Sequence, residues 1–401
     1  MPLRTIAAII AALAVLAPGA SGASSDASSD IRNLVTELEQ RHPNPYHAVS
    51  RQDFHRAADD LAARSPGLTR SQTIVGVMRL MHMLGERDGH SGLFPFIPSN
   101  YGGLHSYPLR LWRFPEGMHV IRSEDAALVG ARVVSIGGLP MAEVEARVRP
   151  LVPRDNEWSL LDNLPYFVVT AEVLDGLGIA PVWELELRTG GRVERTFAAI
   201  SNAEYASTLL DGWWQQSRRA PLFIRLSHVP YGISVIDRGR ALYVSYNQTT
   251  DPGRVPQKLV RLAARKRVRK IVVDLRMNGG GNNTTYYGLV QALRDRRVNR
   301  PSRLAVLIGR RTFSAAGNFA ADVDRRTRAR FFGEPTGGAP SQWGDHAPIP
   351  LPSLGVSSGT AIEYVGDPGD TRVATMPQVP VEITAADWFG GRDPVLAAAL
   401  R

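Results

Sequence analysis

Apolar strands alternate with helical segments in the last part of the chain, and this alternation restricts the fold most. The strands read ALYVSY (241–246), KIVVDLR (270–276) and RLAVLIG (303–309), and amphipathic stretches separate them. Such an order predicts a mostly parallel sheet in an α/β layer. Active sites of these sheets lie at the carboxyl ends of the strands. Two loops follow such ends, RMNGGGNN (276–283) and RRTFSAAGN (310–318).

Ser314 lies between a predicted strand and a predicted helix, and two interpretations of it compete. Serine is a common helix N-cap, so the hydroxyl has a plausible structural use. A helix N-terminus also presents free N–H groups that stabilise negative charge, and Ala315 would supply the first of them. Ser314 is therefore either a cap or a nucleophile beside an oxyanion hole.

The glycine loop bears on that choice. Residues 279–281 are all glycine and follow a buried strand, so the backbone can turn sharply and approach a ligand. Gly279 and Gly280 are candidates for a second oxyanion donor. The spacing fits neither a P-loop nor a dinucleotide fingerprint. A purely structural glycine turn stays open as the alternative.

The composition excludes several classes of protein. With 401 residues, 44% hydrophobic and 21% charged, the chain is an ordinary globular protein. It has no cysteine, which excludes disulfides, cysteine nucleophiles and thiolate metal sites. The net charge of +9 comes from scattered arginines, without a nucleic-acid motif. The histidines and carboxylates show no metal-ligand spacing, so neither a metal nor another cofactor is expected.

The chain divides into four predicted parts. Residues 1–23 have one arginine, an apolar run and a Pro-Gly break, which indicates a signal peptide and an exported protein, periplasmic or secreted. No other stretch approaches transmembrane length. Residues 28–90 show helical periodicity, with HPNP (42–45) as a loop and Ser71 as an N-cap. Residues 91–228 read as a β-rich domain with a Gly-Gly hairpin, and 229–401 as the α/β core.

Three motifs in this order carry a family resemblance: VVDLRMNGGGN, TFSAAGN and GEPTGGAPSQWGD (333–345). They resemble the core of the S41 serine peptidases, which include the carboxy-terminal processing proteases and tricorn protease. RHPNPY, GERDGHSG and DWFGGRDPVLAAAL extend the resemblance over nearly all of the mature chain. It implies a crotonase/ClpP-like catalytic core, with Ser314 at the nucleophile position.

The identity of the base separates two branches of that family. In the processing-protease branch a lysine follows the nucleophile, in a stretch similar to GEPTxGKG. Here residues 338–340 are Gly-Ala-Pro, and no lysine follows Ser314. A Ser/Lys dyad is therefore not expected. His90, in DGH at a helix end, matches the catalytic histidine of the tricorn-like branch. The alternative is that His90 has only a structural role, as a histidine at a helix C-terminus where the helix dipole favours it. His346 is the second candidate base.

The acid that would orient the histidine is less well marked. Tricorn-like members place a glutamate before a Pro-Asp pair, but this chain has Pro-Gln at 377–378. Asp370 is the first choice, Glu363 the second, and Asp88, two residues from His90, a third. Asp274 and Arg276 are interpreted as buried structural partners that shape the glycine loop.

The sequence therefore predicts an exported serine peptidase of the S41 type that hydrolyses peptide or protein substrates. Part of the middle region, LVGARVVSIGGLPMAEV, resembles a degenerate PDZ-like module, whose edge strand would bind a chain terminus. Two alternatives are a non-catalytic ligand-binding protein on the same scaffold and a hydrolase of small esters or amides. The oligomeric state and the natural substrate are not predicted.

Overall fold

The computed structural model describes residues 26–210 and 220–401. The predicted signal peptide, residues 1–23, lies outside the described residues. Within the described ranges, no helix combines the length and the apolar character that a membrane span requires.

Three helices open the described chain: α1 (Ala27–Arg41), α2 (Arg51–Arg64) and α3 (Arg70–His82). The loop HPNP lies between α1 and α2, as predicted. The start of α3 was predicted wrongly: its N-cap is Thr69, which forms a capping box with Gln72, and Ser71 lies inside the helix. The helices bury apolar stripes against one another, and α3 ends eight residues before His90.

An antiparallel sheet and several helices form the middle part. The strands are β1 (His105–Ser106), β2 (Leu109–Phe114), β3 (Gly117–Ser123), β4 (Arg132–Ile136), β5 (Leu139–Pro140), β6 (Val182–Glu186), β7 (Arg192–Thr196) and β8 (Ile200–Ser201). The helices are α4 (Met141–Val148), α5 (Glu157–Val168), α6 (Ala171–Gly176), α7 (Asn202–Tyr205) and α8 (Leu222–Arg225). The main order is β2-β3-β4-β6-β7, and the predicted Gly-Gly hairpin joins β6 to β7 with φ 89° at Gly190 and 82° at Gly191.

A six-stranded sheet carries the candidate site, in the order β18-β13-β12-β11-β10-β9. Its strands are β9 (Tyr231–Ile236), β10 (Ala241–Tyr246), β11 (Lys270–Asp274), β12 (Leu304–Ile308), β13 (Arg330–Gly333) and β18 (Val379–Pro380). Its helices are α9 (Val255–Ala263), α10 (Tyr287–Arg294), α11 (Ala315–Arg326), α12 (Ala385–Phe389) and α13 (Pro394–Leu400). Only the β9–β10 pair is antiparallel, so the predicted α/β class with a mostly parallel sheet is confirmed.

Four short strands between β13 and β18 are not part of this sheet: β14 (Gln342–Gly344), β15 (Ala347–Leu351), β16 (Val356–Thr360) and β17 (Glu363–Val365). They form two hairpin-like pairs, β14 with β17 and β15 with β16. The apolar side chains of β15 and β16 join the hydrophobic core of the N-terminal helices. The segment thereby packs the α/β part of the chain against the helices that precede His90.

A buried ion network fixes the end of β11. Arg276 donates to both carboxylate oxygens of Asp274 and, through two nitrogens, to Asp393 at 2.9 and 2.8 Å. Tyr243 donates to Asp274 at 2.7 Å. These contacts support the interpretation of Asp274 and Arg276 as structural partners. They attach the start of α13 to the strand from which the glycine loop departs.

Candidate active site

Ser314 occupies the N-cap position of α11 but does not behave as a cap. Among the contacts of the described residues, its hydroxyl makes no capping hydrogen bond to the first turn. Its backbone has φ 53° and ψ −132°, a region that non-glycine residues rarely adopt. Such strain costs on the order of 1–3 kcal/mol and is typical of functional sites. The structural alternative from the sequence, a simple helix cap, is therefore wrong for this hydroxyl.

His90 lies against Ser314, as the sequence predicted. Its Nε2 is 3.0 Å from Ser314 Oγ, and its ring stacks on Phe313 with centroids 4.8 Å apart. Ser314 Oγ–H can donate only to an unprotonated nitrogen, so we assign the proton of the neutral ring to Nδ1. Within the described ranges, Nδ1 is buried and makes no hydrogen bond of normal geometry, although His90 has a weaker backbone contact with Trp343. The pair has the geometry of a nucleophile and its general base.

The environment of His90 keeps the imidazole neutral. Burial lowers its pKa to about 4, the charge of His346 also lowers it, and Asp88 opposes the change. The backbone of Trp343 has a smaller raising effect on the pKa. Although the residue is only partly buried and borders a cavity, its Nδ1 is shielded from bulk water. At neutral pH the ring is therefore able to accept a proton.

The glycine loop approaches the nucleophile at Gly280. A Cβ placed there would lie 2.7 Å from Ser314 Cβ and 3.1 Å from Oγ, and φ is +118°. Both the close approach and the positive φ require glycine. Gly280 N–H donates to Asn278 Oδ1 at 3.0 Å, so this predicted oxyanion donor is already occupied. In the part of the chain that the structure describes, the N–H groups of Gly279 and Ala315 have no acceptor.

His346, the second candidate base, contacts the backbone of His90 instead of Ser314. Its Nδ1 is 2.9 Å from the carbonyl oxygen of His90. A carbonyl only accepts hydrogen bonds, so Nδ1 of His346 carries a proton. Its ring also packs edge-on against Phe94 at 6.0 Å. His346 therefore contacts the segment that carries His90.

In the described ranges, none of the three predicted acids forms a hydrogen bond with the ring of His90. Asp370 accepts hydrogen bonds from Arg372 at 2.7 Å and Arg325 at 3.2 Å, which lower its pKa. Asp370 was thus a wrong choice for the orienting acid, because its carboxylate is paired with two arginines instead of His90. Glu363 is exposed on β17.

Asp88 is buried, but its carboxylate is 3.1 Å from Nε2 of His42. The other oxygen, Oδ1, is buried and has no partner among the described residues. Asp88 therefore acts on His90 through its field, which raises the pKa of that ring, and not through a hydrogen bond. No carboxylate in the described ranges completes a hydrogen-bonded triad with His90.

Asp155 was missed by the sequence analysis. It is completely buried, and its two carboxylate oxygens accept from Gly89 N at 2.8 Å and Ala339 N at 3.1 Å. Burial raises its pKa to about 7, against the effect of these two hydrogen bonds. The local pattern DNxxS is typical only of a helix start, and Asn156 and Ser159 form the capping box of α5.

A cavity of about 290 Å³ borders His90. Its wall is mainly aromatic and apolar, and its lining includes Phe94, Phe96, Ile97, Tyr166 and Phe313. Phe96 and Tyr166 are in contact, with centroids 4.4 Å apart. Gly279 also lines this space, so the glycine loop and the base border the same cavity.

A second cavity, of about 380 Å³, adjoins the first at Arg310 and Arg311. Although it is larger, neither Ser314 nor His90 lines it. We therefore take the smaller cavity as the candidate reaction site, because His90, which contacts Ser314, lines it, whereas Ser314 itself lines neither cavity.

Comparison with known proteins identifies the fold. No family model matches this sequence, and no curated protein does. Among solved structures, mature CPAF matches with a TM-score of 0.59 and 11% identity over 91% of this chain and 94% of that chain. A serine-to-alanine mutant of CPAF matches at 0.61 and 11%, with the same coverage of 91% and 94%. CPAF complexed with lactacystin matches at 0.58 and 11%, over 91% and 95%.

An identity of 11% shows a shared fold and nothing more specific. The fold that this chain shares with CPAF is nevertheless consistent with the one that the three sequence motifs implied. The resemblance extends over nearly the full length of both chains, so the helices and the middle sheet contribute to the match as well as the α/β part.

Proposed function

We propose that this protein is a serine peptidase in which Ser314 is the nucleophile and His90 the general base. The observation that carries the proposal is the 3.0 Å contact between His90 Nε2 and Ser314 Oγ. The two residues are 224 positions apart, and Ser314 holds a strained backbone. A strained serine beside a neutral histidine in an S41 fold favours catalysis over non-catalytic ligand binding.

The reaction is an acyl transfer in two steps. Ser314 Oγ attacks the carbonyl carbon of a peptide bond while His90 Nε2 accepts the hydroxyl proton. His90 then returns that proton to the leaving amine, and an ester between Ser314 and the acyl fragment remains. Water hydrolyses this ester by the same proton path in reverse. No residue in this scheme needs a cofactor.

The negative charge of the tetrahedral intermediate requires hydrogen-bond donors. We propose the N–H groups of Gly279 and Ala315, since the N–H of Gly280 is engaged by Asn278. The N–H of Ala315 belongs to the first turn of α11, where the helix dipole also favours negative charge. A loss of one such donor typically costs about 10²–10³ in kcat.

The cavity beside His90 defines the proposed substrate. Aromatic and aliphatic groups form most of its wall, so it would bind an apolar or aromatic side chain adjacent to the scissile bond. A fully buried side chain of that size contributes about 1.5–3 kcal/mol of binding free energy. We therefore propose peptides or proteins with such a residue as substrates.

Export and the division into domains remain proposals that rest on the sequence. The apolar run and the small residues in positions 1–23 support export to the periplasm or the medium. We retain the boundaries 28–90, 91–228 and 229–401 as proposed domains. The short strands β15 and β16 support a close association between the last domain and the first.

Covalent labelling tests the proposed nucleophile. We expect a fluorophosphonate probe to label the wild-type protein at a single site, and mass spectrometry of the digest to place the adduct on Ser314. Ser302→Ala is the matched control, because Ser302 is an exposed serine with φ 62°. That variant should be labelled as fast as the wild type. An adduct on another residue, or none, would contradict the proposal.

Gly280→Ala tests the close approach of the glycine loop. The new Cβ would overlap Ser314 Cβ at 2.7 Å, so the nucleophile or the loop must move. A displacement of about 1 Å at a reacting group costs on the order of 100-fold in rate, and we expect that loss in the labelling rate constant.

Gly138→Ala is the control for this variant. Gly138 also has a positive φ, +77°, but a Cβ there meets no atom of the described residues within 4 Å. It should cost stability through backbone strain while leaving the labelling rate unchanged. Equal labelling rates in the Gly280 and Gly138 variants would show that the approach has no role.

A further inference from the structure

One buried carboxylate connects the segment of the base with the loop that packs on the nucleophile. Asp155 accepts from Gly89 N, next to His90 in the chain, and from Ala339 N. These two amides are 66 and 184 residues from Asp155 in the sequence. The carboxylate therefore joins two segments that meet only in the folded protein.

The Ala339 loop lies directly against Ser314. Gly338 N donates to the carbonyl oxygen of Thr312 at 2.9 Å. A Cβ on Gly338 would lie 2.9 Å from the backbone nitrogen of Ser314. A shift of this loop would thus move the strained backbone of the nucleophile.

Asp155 is itself held firmly. Its N–H donates to Ser159 Oγ at 3.0 Å, and its carbonyl accepts from Arg87 N at 2.9 Å. The neighbouring Asn156 donates through Nδ2 to the carbonyls of Thr336 at 3.2 Å and Val373 at 2.7 Å. The start of α5 is therefore a rigid anchor between the two loops.

The chemistry of the side chain indicates why aspartate occupies this position. An ionised carboxylate has two acceptor oxygens and no donor, so it can receive both N–H groups. Asparagine would present one acceptor and one donor, and its amide would face an N–H. In the described part of the chain the carboxylate contacts of Asp155 are these two N–H groups and no cation, so its burial is expensive. A costly charge that connects two reacting segments points to function.

We propose that Asp155 is a positioning residue that holds His90 and Ser314 in register for the proposed peptidase reaction. This inference rests on the proposed function. Asp155 touches neither the substrate nor the reacting atoms; it acts through the backbone of Gly89 and Ala339.

The position of Asp155 also makes the alignment of His90 and Ser314 dependent on pH. Burial raises the pKa of Asp155 to about 7; Asp88 raises it further and Arg87 lowers it, both on the His90 segment. Residues 336–339 bring no titratable group, and Glu157 on α5 is exposed and paired with Arg149. When Asp155 gains a proton, one oxygen becomes a donor and one of the two N–H contacts is lost.

The test compares labelling rate constants between pH 5 and 9. We expect Asp155→Asn to react about 100-fold more slowly than wild type at pH 8, the cost of a misplaced reacting pair. The wild-type rate should fall as pH decreases through about 7, and this step should be absent from the variant. Glu157→Gln, which removes a surface charge two residues away, should match the wild type throughout.

The labelling rates distinguish a failure of the positioning role from a failure of the proposed function. If wild type is labelled and Asp155→Asn reacts within twofold at every pH, or keeps the step near pH 7, the positioning role is wrong and the proposed function stands. If wild type is not labelled at all, the proposed function fails and the positioning role with it.

A second measurement is needed if Asp155→Asn does not fold. Hydrogen exchange of the wild-type amides of Gly89 and Ala339 should show protection at pH 8. After correction for the intrinsic exchange rate, at least one should lose protection below pH 7. Protection that stays constant from pH 8 to pH 6 would overturn the proposal.

Discussion

Ser314→Ala is expected to lower kcat/KM for an aromatic peptide amide by about 10⁴- to 10⁶-fold, the usual cost of removing a catalytic serine. The reason is that, within residues 26–210 and 220–401, no other hydroxyl shares the contact of Ser314 Oγ with His90. The remaining rate would come from binding and from the oxyanion donors alone. Steady-state hydrolysis by the purified protein, with the peptide products identified by mass spectrometry, measures the effect.

Ser302→Ala is the control for this measurement, because it makes the same chemical change at another serine with positive φ. We expect its kcat/KM to equal that of the wild type. If Ser314→Ala retained more than about a tenth of the wild-type activity, the nucleophile would have to be another residue. Circular dichroism and thermal unfolding of the variant establish that its fold is intact.

The parts of the site that the sequence predicted are those set by local patterns. The alternation of strands and helices places the two loops at one edge of the sheet, because parallel strands end together. Ser314 then follows β12, and the glycines follow β11. His90 was found by its family motif, since nothing in the local chemistry of DGH distinguishes it from other histidines at helix ends.

The parts that the sequence did not predict depend on contacts between distant segments. Asp370 lies near Arg325 of α11, 45 residues earlier, and this pairing removes it from the site. Asp155 contacts backbone amides 66 and 184 residues away. Because every residue except proline has a backbone N–H, no sequence pattern predicts which amides a side chain will contact. Gly280 N–H is occupied by a side chain two residues earlier, which only the turn geometry reveals.

The balance of stability and function is visible at the same residues. Ser314 has a strained φ of 53°, and Asp155 holds a buried charge without an ion-pair partner in the described ranges. Both features cost free energy of folding, and both lie within one cluster around His90. Strain and buried charge that cluster at one site indicate selection for reactivity instead of stability.

His90→Gln is the second change with a large expected effect, a loss of about 10³- to 10⁶-fold in kcat/KM. Glutamine keeps a polar side chain in the cavity wall but cannot accept the serine proton. In the wild type, kcat/KM should fall on the acid side of the pH profile near pH 4, where His90 becomes protonated. The step near pH 7 that Asp155 causes is separate, so the wild-type profile should have two limbs.

The same variant should change the acid stability in a defined direction. The pKa of His90 is lowered from 6.5 to about 4, so between these values the unfolded chain binds the proton more readily than the folded one. The free energy of unfolding should therefore fall as pH decreases from 6.5 to 4, by up to about 3 kcal/mol. Above pH 6.5 this group causes no loss. Urea unfolding at pH 7 and pH 4.5 should show a smaller decrease in His90→Gln than in wild type.

His119→Gln separates the two effects. His119 is a buried histidine of β3 whose pKa is also lowered, first by burial, and it lines neither cavity. Its replacement should reduce the acid sensitivity of folding as His90→Gln does, yet leave kcat/KM unchanged. Both variants remove a buried histidine. A loss of activity in His90→Gln but not in His119→Gln would therefore assign His90 as the base. An equal loss in both would mean that the activity follows stability, and His90 would then have no special role.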